Sequence, residues 1–172
     1  SKIGSSFFTR YGHSLDLKSN ILAVSETGFT SPKIIMYDIT SNSFLEQANN
    51  TIPLLYAFDI QIKLSYDGNN LIYGMSGFNS DSGNINSRSM RGTKGHVEVF
   101  KRENNQWPRQ GWKMKPIGGG ATDEFGKSVS ISGDGGIIAL SAPRKDVPGV
   151  DTGCVTVYTV KPISHYVTPT IS

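Results

Sequence analysis

One cysteine among 172 residues leaves no internal disulfide and no cysteine-built zinc site. No apolar run approaches the roughly 18 residues that a membrane-spanning helix needs. Charge of neither sign dominates: 17 Lys+Arg stand against 14 Asp+Glu, a formal charge of +3 that gives little reason to expect nucleic acid as a partner. Ser1-Lys2-Ile3-Gly4-Ser5-Ser6 lacks both an initiator Met and an apolar segment. The expectation is that a signal peptide is absent or removed, and that the chain is a processed product or a fragment. Ala, Leu and Glu, three of the best helix formers, are also scarce.

Strand and turn formers fill that space. Val, Ile, Thr, Tyr, Phe and Trp make up nearly a third of the chain, and 19 Gly, 8 Pro, 21 Ser and 11 Asn supply many turns. Short strands broken by frequent turns predict an all-β fold. The length suits one domain with a core of its own.

A repeat organises the pattern. Its clearest copy runs Phe125-Gly126-Lys127-Ser128-Val129-Ser130-Ile131-Ser132, then Gly133-Asp134-Gly135-Gly136, then Ile137 to Pro143, and closes with Gly153-Cys154-Val155-Thr156-Val157-Tyr158. The opening segment alternates polar and apolar residues, the period of a half-buried strand. Asp134-Gly135 is a hairpin signal, and Ile137 to Leu140 reads as a strand buried on both faces. Phe58 to Ser65 aligns with the opening segment without gaps, and Asp67-Gly68, Leu71-Ile72-Tyr73 and Gly95 to Phe100 follow in order. Tyr11 to Leu17, Ile21 to Ser25 and Lys33 to Tyr37 form a first copy. The openings lie 47 and 67 residues apart, and the Gly77–Lys94 insertion absorbs the difference. Such a period fits propeller blades better than the shorter coils of a solenoid. Fourth strands are expected at Ser43-Phe44-Leu45, Trp112-Lys113-Met114 and His165-Tyr166-Val167. Val129, Ile131, Ile138 and Val155, with Ile62, Leu64, Ile72 and Val97, are the expected blade core.

Phe-Gly-x-Ser-Val-x-Ile-Ser-x-Asp-Gly, the run into Ser141-Ala142-Pro143, and Gly-x-Val-x-Val-Tyr together resemble the FG-GAP repeat, the blade unit of integrin α-subunit heads. The linker Asn105-Gln106-Trp107 to Asp123-Glu124 is similar to that family's inter-blade stretch. The resemblance is closest over Phe125–Tyr158 and weakest in the first copy, where Tyr11-Gly12 replaces Phe-Gly. It implies an all-β fold of β-propeller-type blades, about three of them, at approximately residues 1–50, 51–116 and 117–172. Three blades span too little arc to close a ring, since propellers have four to eight. The expected propeller is therefore incomplete or completed by oligomerisation. Integrin-type blades often carry a calcium loop of alternating acidic or amide residues. Asn79 to Asn84 and Asp146 to Asp151 lack that alternation, so they read as ordinary polar turns.

The repeat also weighs the chemical candidates. His96 is the natural general base and Cys154 the natural nucleophile, yet both follow the closing-strand Gly, and the first copy has Lys33 there. Three different side chains at one repeat position share no chemistry. His13-Ser14 suggests a dyad but falls at a strand opening, and His165 lies in a tail with no visible partner. Gly118-Gly119-Gly120 lacks the Lys-Ser/Thr and following helix of a phosphate loop. Arg88, Arg91 and Lys94, then Lys101, Arg102, Arg109, Lys113 and Lys115, form the most basic stretches and read as solvated charge. Trp107 and Trp112 read as packing between blades. Asn49-Asn50-Thr51 is a glycosylation sequon that matters only in a secreted chain. No residue is assigned a catalytic, cofactor-binding or metal-ligating role.

The functional expectation is a non-enzymatic structural or adhesive interaction module, part of a larger surface or virion assembly, extracellular or on a cell or particle surface. Its expected partners are other protein subunits or further copies of itself that complete the propeller. The alternative is a lectin-like domain that binds carbohydrate, with or without calcium. A hydrolase on a propeller scaffold is the third class, disfavoured by the missing constellation. Loops 77–94 and 144–152 would present contacts from a rigid frame.

Overall fold

The computed structural model describes residues 10–28, 31–40, 43–54, 59–76, 95–111, 114, 123–146 and 152–160. They form ten strands in three antiparallel sheets, with no helix among the described residues. Sheet 1 comprises β1 (Arg10–Lys18), β2 (Ile21–Thr27), β3 (Lys33–Thr40) and β4 (Ser43–Pro53). Sheet 2 comprises β5 (Ile60–Leu64), β6 (Asn70–Met75) and β7 (His96–Lys101), and sheet 3 β8 (Val129–Ile131), β9 (Ile137–Ala142) and β10 (Cys154–Thr159). The architecture is all-β and blade-like.

The ladders place the repeat in register. Leu17 faces Leu22 in sheet 1, Leu64 faces Leu71 in sheet 2, and Ile131 faces Ile138 in sheet 3. Because side chains alternate across a strand, this common register sends equivalent residues to equivalent faces in every sheet. The sheets approach one another mainly through their opening strands, β1 and β2 against β5, then β5 and β6 against β8.

Two cores result. Between sheets 1 and 2, Ile21, Ala23, Ile34 and Met36 pack against Ile60, Ile62, Leu64, Leu71, Tyr73, Met75 and Phe100. Between sheets 2 and 3, Ile72, Val97 and Val99 pack against Phe125, Val129, Ile138, Leu140 and Ala142. Sheet 2 is thus buried on both faces. Each fully buried aliphatic side chain of this kind contributes roughly 1.5–3 kcal/mol of transfer free energy, so the middle sheet anchors the stack.

The second junction is unusually close, and glycine makes it so. A Cβ on Gly74 would collide with the carbonyl oxygen of Gly126, which itself has φ +82°. Phe125 bridges Gly95 and buries its ring, so the Phe-Gly pair is a wedge between blades.

Six of the eight expected core residues are buried, and Ile131 is partly covered. Val155 does not: it is 71% exposed, against 0% for its equivalent Val97. The ladder pairs both with corresponding residues, Ser141 and Gly74, so the alignment is sound. Val155 points to the face of sheet 3 against which no further sheet lies among the described residues.

The expected fourth strand of sheet 1 is β4. In sheet 2, Arg109 bridges Phe100 and Met114 bridges Val97 at that place, while Trp112 and Lys113 lie outside the described residues. His165 to Val167 lies outside the described residues.

Candidate interaction surface

The three residues at the shared repeat position all open the closing strands β3, β7 and β10. Lys33, His96 and Cys154 oppose Glu26, Met75 and Ala142, which are equivalent ladder positions. Their surroundings differ completely. His96 is wholly buried, edge-on to Tyr73 with ring centroids 5.7 Å apart. Its Nε2 lies 3.5 Å from the Tyr73 hydroxyl and 3.9 Å from a Glu98 oxygen that Arg109 also approaches. Burial, with the nearby Glu98 charge, raises the Tyr73 pKa far above its ordinary value. Lys33 pairs with Glu26 at 3.6 Å, and Cys154 packs half-buried against the second core. Trp107 is buried in the first core.

Other candidates separate. The Ser14 hydroxyl accepts the N–H of Ile62 and makes no dyad with His13, whose Nε2 lies 3.9 Å from Asp59. Of the basic residues, Arg102 is 3.8 Å from Asp38, while Lys101 and Arg109 are exposed. Arg88, Arg91, Lys94, Trp112, Lys113, Lys115, Gly118–Gly120, His165, the 77–94 insertion and residues 147–151 lie outside the described residues.

Sequence reasoning missed two polar devices that join the sheets. First, β1 reaches across to β5: Ser14 Oγ accepts from Ile62 N–H at 3.0 Å, and Asp16 Oδ2 from Leu64 N–H at 2.8 Å. These acceptors satisfy edge-strand donors that would otherwise lie unpaired beside the core. The signal was present as the polar half of the opening-strand alternation. Second, Asp59 accepts from Lys127 Nζ at 2.6 Å and from Ser76 Oγ at 2.7 Å. Desolvation opposes ionisation of Asp59, but these bonds outweigh it and hold the carboxyl below its ordinary pKa. The same contact raises Lys127.

The hairpins nest as well. Ser65 Oγ donates to Asp67, Gly68 N–H to the Ser65 carbonyl, and Asn70 N–H to Ser65 Oγ. Ser132, Asp134, Gly135 and Ile137 repeat these bonds. Tyr66 N–H then donates to the Gly133 carbonyl, and Ser19 Oγ to the Tyr66 carbonyl, so the three turns form one row.

Among the described residues, the exposed large apolar side chains gather mainly at the two ends of the stack. On sheet 3, Val157 is 63% and Ile137 51% exposed beside Val155, whereas Val99, the equivalent of Val157, is 3% exposed. On sheet 1, Leu15 and Leu17 are 56% and 51% exposed, although their equivalents Ile62 and Leu64 are buried. The rest of that face is closed, since Val24, Ile35 and Tyr37 form a buried cluster. The opening on sheet 1 is therefore the β1 strip.

The FG-GAP repeat family model matches residues 109–158. No curated protein and no solved structure matches the chain. The matched segment begins at Arg109, which bridges β7 of sheet 2, and ends in β10, so one sequence unit straddles two sheets. No helix among the described residues is long and apolar enough to cross a membrane.

Proposed function

From the FG-GAP repeat that this chain carries over residues 109–158, we propose that it is a non-enzymatic structural or adhesive interaction module, working outside the cell or on a particle surface. One observation carries the reading. Positions that are sealed inside the stack at Val97 and Val99 are open at Val155 and Val157. Apolar side chains grouped on one face of a rigid sheet mark an interaction surface. The mechanism is geometric: the stacked sheets hold that face in a fixed shape, so association costs little ordering. The burial of His96 and the differing surroundings of Lys33 and Cys154 speak against chemistry at that repeat position. Carbene footprinting tests the reading, comparing dilute purified chain with the chain in extracts of its source. Protection of Val155 and Val157 in the extract is expected. Equal labelling in both would overturn the assignment of this face as a contact surface.

A further inference from the structure

Sheet 3 repeats sheet 1 in detail on the side away from sheet 2. Ser128 N–H donates to Ser141 Oγ at 3.0 Å, as Ser14 N–H donates to Ser25 Oγ at 2.8 Å, whereas sheet 2 has Gln61 and Gly74 at these positions. Ser128 and Ser130 are exposed and occupy the places of Ser14 and Asp16, the two residues that accept N–H groups from β5. Val155 and Val157 occupy the places of Ile34 and Met36, which back that junction with apolar surface.

At the other end, β1 presents what β5 presents inside. Leu15 and Leu17 correspond to Ile62 and Leu64, whose N–H groups are taken by the preceding sheet. Because donors alternate along a strand, the N–H groups of Leu15 and Leu17 face the outer edge of β1, which has no neighbour strand among the described residues. One chain therefore carries both halves of a junction already built within it: a receiving face on sheet 3 and a presenting strand on sheet 1.

We propose that β1 of a second copy docks on the outer face of sheet 3, head to tail. Ser128 and Ser130 accept the N–H groups of Leu15 and Leu17, and Val155 and Val157 cover the two leucines. This rests on the module reading above and names its partner. The contact is heterologous, so two copies close a ring of six sheets if the rotation allows, and otherwise the assembly runs on. Closure at six lies within the usual range for propellers.

Light scattering on purified wild type, Leu17→Asp and Val157→Asp decides the matter, with circular dichroism checking that each folds. Both substituted residues are exposed, so the fold has little reason to suffer. Wild type is expected to associate, with twice the 18.7 kDa mass of the chain if the ring closes. Each variant alone should show at least a tenfold weaker association, because a charge blocks one half of the junction. An equimolar mixture should regain one-to-one pairs, since each variant keeps the half that the other lacks. Undiminished association of Leu17→Asp would overturn the proposal in favour of sheet 3 packing on sheet 3. A mixture without pairs, or a monomeric wild type at high concentration, would also overturn it. If wild type is monomeric while Val155 and Val157 are protected in the source extract, the module reading stands and its partner is another chain.

Discussion

At the scale of single residues, the inter-sheet contacts make the sharpest demands. Gly74 faces the Gly126 carbonyl with no room for a methyl group. Gly74→Ala should cost about 2 kcal/mol or more by overpacking, read as a lower urea midpoint with unchanged slope. Lys127 and Asp59 form a partly exposed pair, so Lys127→Met should cost only about 0.5–1 kcal/mol. Its pH dependence is the more informative readout. A depressed carboxylate stabilises the fold above its unfolded pKa of about 3.9, and that contribution is lost as pH falls through the lower folded value. A raised lysine stabilises below its unfolded pKa of about 10.4, and the contribution is lost as pH climbs through the folded value. The difference between wild type and Lys127→Met should therefore be flat from about pH 5 to 9 and shrink beyond either end. Urea unfolding at a series of pH values checks this, and a difference that grows on acidification would contradict the assignment.

At the scale of the element, the opening strands differ in what their faces meet. The apolar residues of β5 and β8 pack on the preceding sheet, Leu15 and Leu17 of β1 are exposed, and the polar residues of β1 satisfy the following sheet. Asp16→Ala leaves the Leu64 N–H without its acceptor, and should cost about 2 kcal/mol. Asp16→Asn keeps an acceptor and should recover at least half of that, measured in the same unfolding experiment. The strands themselves were legible from alternation, and the hairpins from Asp-Gly. The turn network was half legible: Ser65 and Ser132 precede Asp67 and Asp134 at the same spacing, but the nesting of turns depends on how the sheets stack. Of the expected fourth strand of sheet 2 at residues 112–114, Met114 alone is described and it bridges Val97, with Arg109 bridging Phe100 before it. Pro108 has no N–H to give a ladder and Gly111 has φ +72°, so Arg109 between them pairs as a single bridge.

For the whole molecule, burial falls from the middle of the stack toward its ends. Amide hydrogen exchange in β6, buried on both faces, should be slowest, near the limit of global unfolding. Exchange in β10, which has one described neighbour strand and an exposed face, should be faster by several orders of magnitude. Comparable protection in β6 and β10 would argue against an open end at sheet 3 in the sample measured.

Alternation, turn residues and the spacing of the copies determined the all-β class, the repeat and six of eight core positions, with Ile131 half-covered, because those signals are local and recur along the chain. They also place His96 and Cys154 at one repeat position with Lys33, as the ladders do. Only the tertiary structure decided that His96 is sealed inside, that Ser14, Asp16 and Asp59 join sheets, and that Val155 is open while Val97 is closed. The reason is physical. Val97 and Val155 have the same local pattern and the same place in their ladders, and burial depends on whether another sheet lies across that face. No residue within either strand encodes that neighbour.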